Sequence, residues 1–258
     1  MAETILMIHG MWGTGSFLEN FKGFFEGKGY RCVVPTLRFH DVDPNGVPDP
    51  RLGTTSLLDY AADLEKLIRE LPVVPILMGH SMGGLLAQIL GGRGLAKALV
   101  LLTPASPHGI IALKPSVIKS FWSGLTRWGF WKKSFRQTFA EAEYSMLEMM
   151  PPESRRSVYD KFVYESGRAA FEIGFWLFDS RGAARVDESK VTCPVLIVGG
   201  REDKITPVSV TRKVAEKYKR VATYKEFPGH AHWVIGEPGW QQIAEYIEEW
   251  LKSGTGSH

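Results

Sequence analysis

Gly79-His80-Ser81-Met82-Gly83 follows the apolar run Val73-Val74-Pro75-Ile76-Leu77-Met78 and precedes Leu85-Leu86-Ala87-Gln88-Ile89-Leu90. The first run reads as a buried strand and the second as a helix. A serine between glycines at such a junction is the G-x-S-x-G nucleophile-elbow pattern. The turn is sharp and strained, so its flanking positions must be small where strand and helix nearly touch. It pushes the Ser81 hydroxyl out of the sheet and sets it at a helix N-terminus. Free backbone N–H groups there can stabilise a developing negative charge.

Outward from this point, short apolar runs alternate with amphipathic stretches. Strands are expected at 4–8, 31–35, 74–78, 98–103, 195–198 and 223–227. Helical spacing marks 17–26, 56–71, 208–218 and 240–251, with Ser56 as N-cap of the second. The alternation predicts an α/β fold: a mostly parallel sheet of about six strands flanked by helices. Ligands of such sheets sit at the C-terminal ends of the strands, where Ser81 falls. Residues 107–190 break the pattern. They read as helical and are crowded with aromatics and methionines, which predicts a helical cap inserted between core segments 1–106 and 191–252. Residues 38–54 read as a long surface loop, and 253–258 as a flexible tail.

The chain has 258 residues, 44% hydrophobic and 23% charged, with a net charge of +3. This is ordinary for a globular protein and gives no reason to expect a nucleic-acid partner. Cys32 and Cys193 lie in or beside apolar strands, so free thiols are expected, without a disulfide framework. The first strand begins at Thr4 with no basic, apolar leader before it, and no run has the length of a membrane span. Cytoplasmic residence and no stable membrane insertion are the expectations. His40, Asp41, Asp43 and Asp49 lack EF-hand spacing and read as a polar loop, so no metal is expected. The aromatic and basic segment 121–139 reads as a cap helix with a solvated basic face, in preference to a lipid-binding one.

Acyl transfer by serine needs a base, an orienting acid and oxyanion donors. Asp203, after the strand at 195–198 and before Pro207, is the acid candidate, with Glu202 as its neighbour and rival. The base lies in Pro228-Gly229-His230-Ala231-His232-Trp233, where two histidines compete. The chain order serine, acid, histidine suits this architecture. One oxyanion donor is the backbone N–H of Met82, directly after the serine.

Over nearly its whole length the chain resembles a capped serine esterase or lipase of the α/β-hydrolase fold. The resemblance rests on His9-Gly10-Met11-Trp12, residues 79–83, residues 200–207 and the terminal histidine segment. It implies that the antiparallel strands that usually open the sheet are missing. It favours His232 over His230 as base, because relatives often carry Glu after four intervening residues beyond that histidine, and His232 stands in this register with Glu237. It assigns the second oxyanion donor to Met11, with Trp12 as the alternative, and leaves His9 to brace the loop. Serine at the elbow, where dehalogenases and epoxide hydrolases of this fold carry Asp, implies acyl chemistry without a cofactor.

The aromatic cap predicts an apolar pocket, with Trp12, Trp122, Phe171, Trp176 and Trp233 as substrate-binding candidates. The expected activity is hydrolysis of small hydrophobic carboxylic esters through an acyl-enzyme. A lactonase, amidase, C–C hydrolase or perhydrolase on the same triad, or a ligand receptor without turnover, are the alternatives.

Overall fold

The computed structural model describes residues 2–253. Apart from Ser253, the expected tail lies outside the described residues. In chain order the strands are β1 (Thr4–Ile8), β2 (Arg31–Val33), β3 (Ile76–His80), β4 (Ala98–Leu102), β5 (Ser134–Phe135), β6 (Glu165–Ser166), β7 (Val195–Gly200) and β8 (Ala222–Phe227). Six of them form one sheet in the order β2-β1-β3-β4-β7-β8. Every ladder in it is parallel. Strands β1, β3, β4 and β7 are buried along their full length, as continuous apolar runs must be when helices cover both faces.

The decisive strand is displaced from its sequence assignment. Val74 is exposed, and β3 starts only at Ile76 and runs on through Gly79 and His80. Pro75 has no N–H for a ladder, so pairing begins after it. Beyond it the register with β4 continues to His80 opposite Leu102. The strand therefore delivers the chain directly to Ser81. Strand β7 likewise extends two glycines past its expected end, to Gly200.

The helices that flank the sheet are α1 (Glu19–Gly27), α2 (Leu57–Arg69), α3 (Met82–Gly91), α9 (Val208–Lys217) and α10 (Trp240–Lys252). Ser56 caps α2 in a capping box with Asp59. Helix α3 is buried at every residue and crosses tightly behind β1. A Cβ on Gly83 would stand 2.1 Å from the Ile8 carbonyl oxygen and 2.6 Å from that of His9. Both are backbone atoms at the C-terminal end of β1 and cannot step aside. Gly83→Ala is therefore expected to cost about 3 kcal/mol, the upper end of overpacking. That corresponds to a fall of roughly 10 °C in Tm for a chain of this size. Helix propensity alone favours Ala by about 1 kcal/mol, so a melting curve that rises would show the contact to be harmless.

Between β4 and β7 lie α4 (Pro115–Ser120), α5 (Trp122–Leu125), α6 (Phe139–Ser145), α7 (Pro152–Tyr159), α8 (Gly167–Gly174) and the antiparallel pair β5–β6. The segment 121–139 is not one helix. It breaks after one turn of α5, and Gly129 adopts a left-handed conformation before a short 3-10 turn. No helix among the described residues is long and apolar enough to cross a membrane.

Two buried carboxylates fasten this inserted segment to the core. Glu172 of α8 accepts from Ser56 Oγ at 2.8 Å and from the Leu57 amide at 2.9 Å, so its charge sits on the N-terminus of α2. Arg168 and Arg181 bind its other side. Glu165 accepts from Tyr60 Oη at 2.8 Å and pairs with His40 Nε2 at 3.1 Å. His40 is thus no surface residue. It is fully buried, and although burial favours the neutral ring, the facing carboxylate wins and raises its pKa. Asp41 and Asp43 are exposed, while Asp49 pairs with Arg51 at 2.6 Å. Cys32 and Cys193 are free, partly buried thiols.

Candidate active site

The C-terminal ends of the central strands carry the strain of the fold. Among the described residues, the non-glycine residues with positive φ are Trp12, Phe39, Ser81 and Thr103. Three of these four follow β1, β3 and β4 at one edge of the sheet. Ser81 has φ 53° and ψ −118°, a conformation that persists only where the surroundings hold it. They do so through its backbone: its N–H donates to the Leu102 carbonyl at 3.0 Å, and its own carbonyl accepts from Gly84 and Ala105. The Ser81 side chain does not cap α3, so its hydroxyl is uncommitted.

Gly10 brings the β1 loop against this turn. A Cβ on it would lie 3.0 Å from both Ser81 Cβ and His80 Nδ1. His9 braces the loop, as expected. Its Nδ1–H donates to the Gly10 carbonyl at 2.8 Å, and its Nε2 accepts the Leu37 amide at 3.0 Å. Burial and then the neighbouring His40 depress its pKa to about 3, so the ring is neutral and holds one tautomer. The backbone N–H groups of Met11 and Met82 donate to no backbone group among the described residues.

Asp203 lies in the β7–α9 loop and is fully enclosed. Its Oδ1 accepts the amides of Ile205 and Thr206 at 2.7 and 2.8 Å. Its Oδ2 accepts His232 Nδ1–H at 2.8 Å, with Thr206 Oγ1 at 2.7 Å. Burial pushes this carboxyl up, but the imidazole beside it and the Thr206 hydrogen bonds overcome that and hold it below the usual range. It is an anion that fixes His232 with Nδ1 protonated and Nε2 free. Glu202 is exposed and does not share this site.

His230 has a different partner. Its Nδ1 donates to Glu237 Oε1 at 2.9 Å, and the same oxygen accepts the Ala231 amide at 3.0 Å. Glu237 thus closes the loop that carries both histidines. His80 ties that loop to the elbow: its Nε2–H donates to the His232 carbonyl at 2.8 Å, and the two rings are 5.0 Å apart. Burial and then His232 drive the His80 pKa to about 3, so this ring stays neutral. Thr103 and Thr206 complete the clamp, the first reaching the His232 carbonyl and the second the Thr103 carbonyl. Nothing in the sequence patterns singled out His80, Thr103 or Thr206. The β-strand position of His80, one residue before the elbow, is the signal that was available.

Ser81, Met11, Met82 and Thr206 share the wall of one cavity that is partly open to solvent. The inserted segment supplies much of the rest, including Leu113, Val117, Phe121, Ile173 and Phe175. Among the described residues no charged side chain lines it. None of the five aromatic candidates is among its lining residues. Trp12 is buried against Phe121 and Phe135, and Trp233 against Phe17. Phe171 stacks on Phe175, Trp176 packs on His108, and Trp122 is 59% exposed. The five candidate rings lie off the wall, whose apolar side chains are aliphatic apart from Phe121 and Phe175. Among the described residues no cluster of His, Cys, Asp and Glu could hold a metal ion.

Comparison with known proteins agrees with this architecture. The solved structures it resembles include a pyrethroid hydrolase from Sphingobium faniae, at TM-score 0.73 and 16% identity over 98% of both chains. A monoacylglycerol lipase from Paleococcus ferrophilus matches at TM-score 0.71 and 21% identity, over 97% of this chain and 94% of that one. A non-heme chloroperoxidase of Kitasatospora aureofaciens is 26% identical over 249 residues, 91% of this chain and 86% of the relative. The sequence model of the alpha/beta hydrolase family matches residues 5–245, nearly the whole fold just described. The chain belongs to the alpha/beta hydrolase family.

Proposed function

We propose that this protein is a serine hydrolase that cleaves carboxylic esters with hydrophobic acyl or alcohol groups. The observation that carries the reading is the buried Asp203–His232 pair, joined through Thr206 to an uncharged cavity whose wall contains a strained, uncommitted serine. In this reading Ser81 Oγ attacks the ester carbonyl while His232 Nε2 takes its proton, and Asp203 stabilises the imidazolium. The carbonyl oxygen, now an anion, is held by the Met11 and Met82 amides. His232 then gives its proton to the leaving alcohol, and an acyl group remains on Ser81. Water attacks that acyl group and loses a proton to His232, which returns it to Ser81 Oγ as the bond to the serine breaks and the acid leaves. Every proton taken is returned, so no cofactor enters the cycle.

An active-site fluorophosphonate is expected to label Ser81, located by peptide mass spectrometry. With p-nitrophenyl esters, kcat/KM is expected to rise about fourfold per added methylene until the cavity fills, the worth of about 0.8 kcal/mol for each buried CH₂. A preference for acetate or for charged acyl groups would defeat the apolar-pocket reading. Tight binding of esters with no turnover would mark a receptor instead.

A second reading follows from the chloroperoxidase relative. In that reading hydrogen peroxide takes the place of water in attacking the acyl-enzyme, and a peracid leaves the serine. Monochlorodimedone bromination that requires acetate, peroxide and bromide together, with the peracid oxidising bromide, and is lost on fluorophosphonate treatment, is the result expected of it.

A further inference from the structure

Ser106 is the one buried polar side chain in the cavity wall that neither the fold nor the proposed chemistry uses. The wall contains three hydroxyl side chains, Ser81, Ser106 and Thr206. Ser81 is the proposed nucleophile, and Thr206 is engaged by Asp203 and the Thr103 carbonyl. Ser106 is 1% exposed, and its Oγ has no hydrogen-bond partner among the described residues. An unmet buried hydroxyl is costly, and alanine would fit the same space without that cost.

The backbone around it is held in place. The Ala105 amide donates to the Ser81 carbonyl at 2.9 Å, which ties Ser106 to the elbow one residue away. The Ala105 carbonyl accepts Gln88 Nε2 at 3.3 Å, and Tyr218 Oη holds the far end of Gln88 at 3.0 Å. The hydroxyl is therefore presented by a fixed strut, close in the chain fold to the serine that would attack. Met11 and Met82, unbranched and adaptable, share the wall and can yield to a ligand.

We propose that Ser106 binds a second, uncharged oxygen of the substrate: a hydroxyl, ether or further carbonyl near the scissile ester. The absence of any charged group in the wall argues against a carboxylate or phosphate there. This inference rests on the ester-hydrolase reading and narrows its substrate class from plain hydrocarbon esters to oxygen-substituted ones.

The test compares matched esters in which one methylene is replaced by an ether oxygen. On the acyl side the pair is p-nitrophenyl butyrate and p-nitrophenyl methoxyacetate; on the alcohol side it is butyl acetate and 2-methoxyethyl acetate. Each is measured with wild type and Ser106→Ala, with active sites counted by fluorophosphonate titration. The ratio of ratios cancels the intrinsic reactivity of each ester. For at least one pair, Ser106→Ala is expected to lower kcat/KM for the ether about tenfold relative to the hydrocarbon. Its Tm is expected to stay level or rise, because no internal hydrogen bond is lost. A ratio of ratios near one for both pairs, with the hydrocarbon esters still hydrolysed, overturns the role of Ser106 alone. Failure of wild type to hydrolyse any ester or to react with fluorophosphonate overturns the function reading, and this inference with it.

Discussion

Ser81→Ala is expected to lower kcat for p-nitrophenyl butyrate by about 10⁶ while leaving the protein folded, the loss that removal of a nucleophile causes in other serine hydrolases. The separation of activity from stability follows from how the turn is held. Its bonds to Leu102, Gly84 and Ala105 all use the backbone of residue 81, which alanine keeps. The hydroxyl caps nothing, so the variant loses no structural bond. Alanine must still adopt φ 53°, and that strain is common to both proteins. A change in Tm within about 2 °C is therefore expected, the ordinary effect of a substitution that touches no core contact. What activity remains would come from the Met11 and Met82 amides and from binding, about 10³–10⁴ over water elsewhere. Retention of a tenth of the wild-type rate would remove Ser81 from the chemistry.

The elbow was legible because its chemistry is local. Two glycines, a serine and the change from strand to helix all fall between Ile76 and Leu90. Asp203 and His232 were legible as positions in an order, since each follows an apolar strand and precedes a helix. The start of β3 was misplaced because apolar character runs through Val73 and Val74, while hydrogen bonding cannot begin until Pro75 is passed. The anchors of the inserted segment were hidden for a different reason. Glu165 and Glu172 are ordinary charged residues in sequence, and their partners His40, Tyr60 and Ser56 lie more than a hundred residues away. The aromatic candidates misled because a large ring in a cap fits bracing as well as it fits a pocket. Only packing distinguishes Phe121, which lines the cavity, from Trp122, which faces solvent beside it.

His232→Ala is expected to cost about as much as loss of the serine, roughly 10⁶ in kcat, whereas His230→Ala keeps at least about a tenth of the activity. The two rings are separated by one residue and by their carboxylates. His232 donates to Asp203, an anion held by two amides and stripped of water, so its Nε2 is left free for the role of base proposed above and its charged form would have a counter-ion. His230 donates to Glu237, whose same oxygen also holds the Ala231 amide. Removing the His230 ring leaves that amide bond in place but opens a buried site beside Glu237. The expected penalty is therefore in stability, about 1–3 kcal/mol, with only a small shift in the position of residue 232. Steady-state rates and urea midpoints on the two variants separate these effects: both should lose stability, His232→Ala because it strips the buried Asp203 of its partner, but only His232→Ala should lose most of its rate. The reverse outcome would place the base on a ring paired with Glu237. Asp203, with four hydrogen bonds spent on holding it, would then have no part in proton transfer, and the serine would have to be served from the other side of the loop.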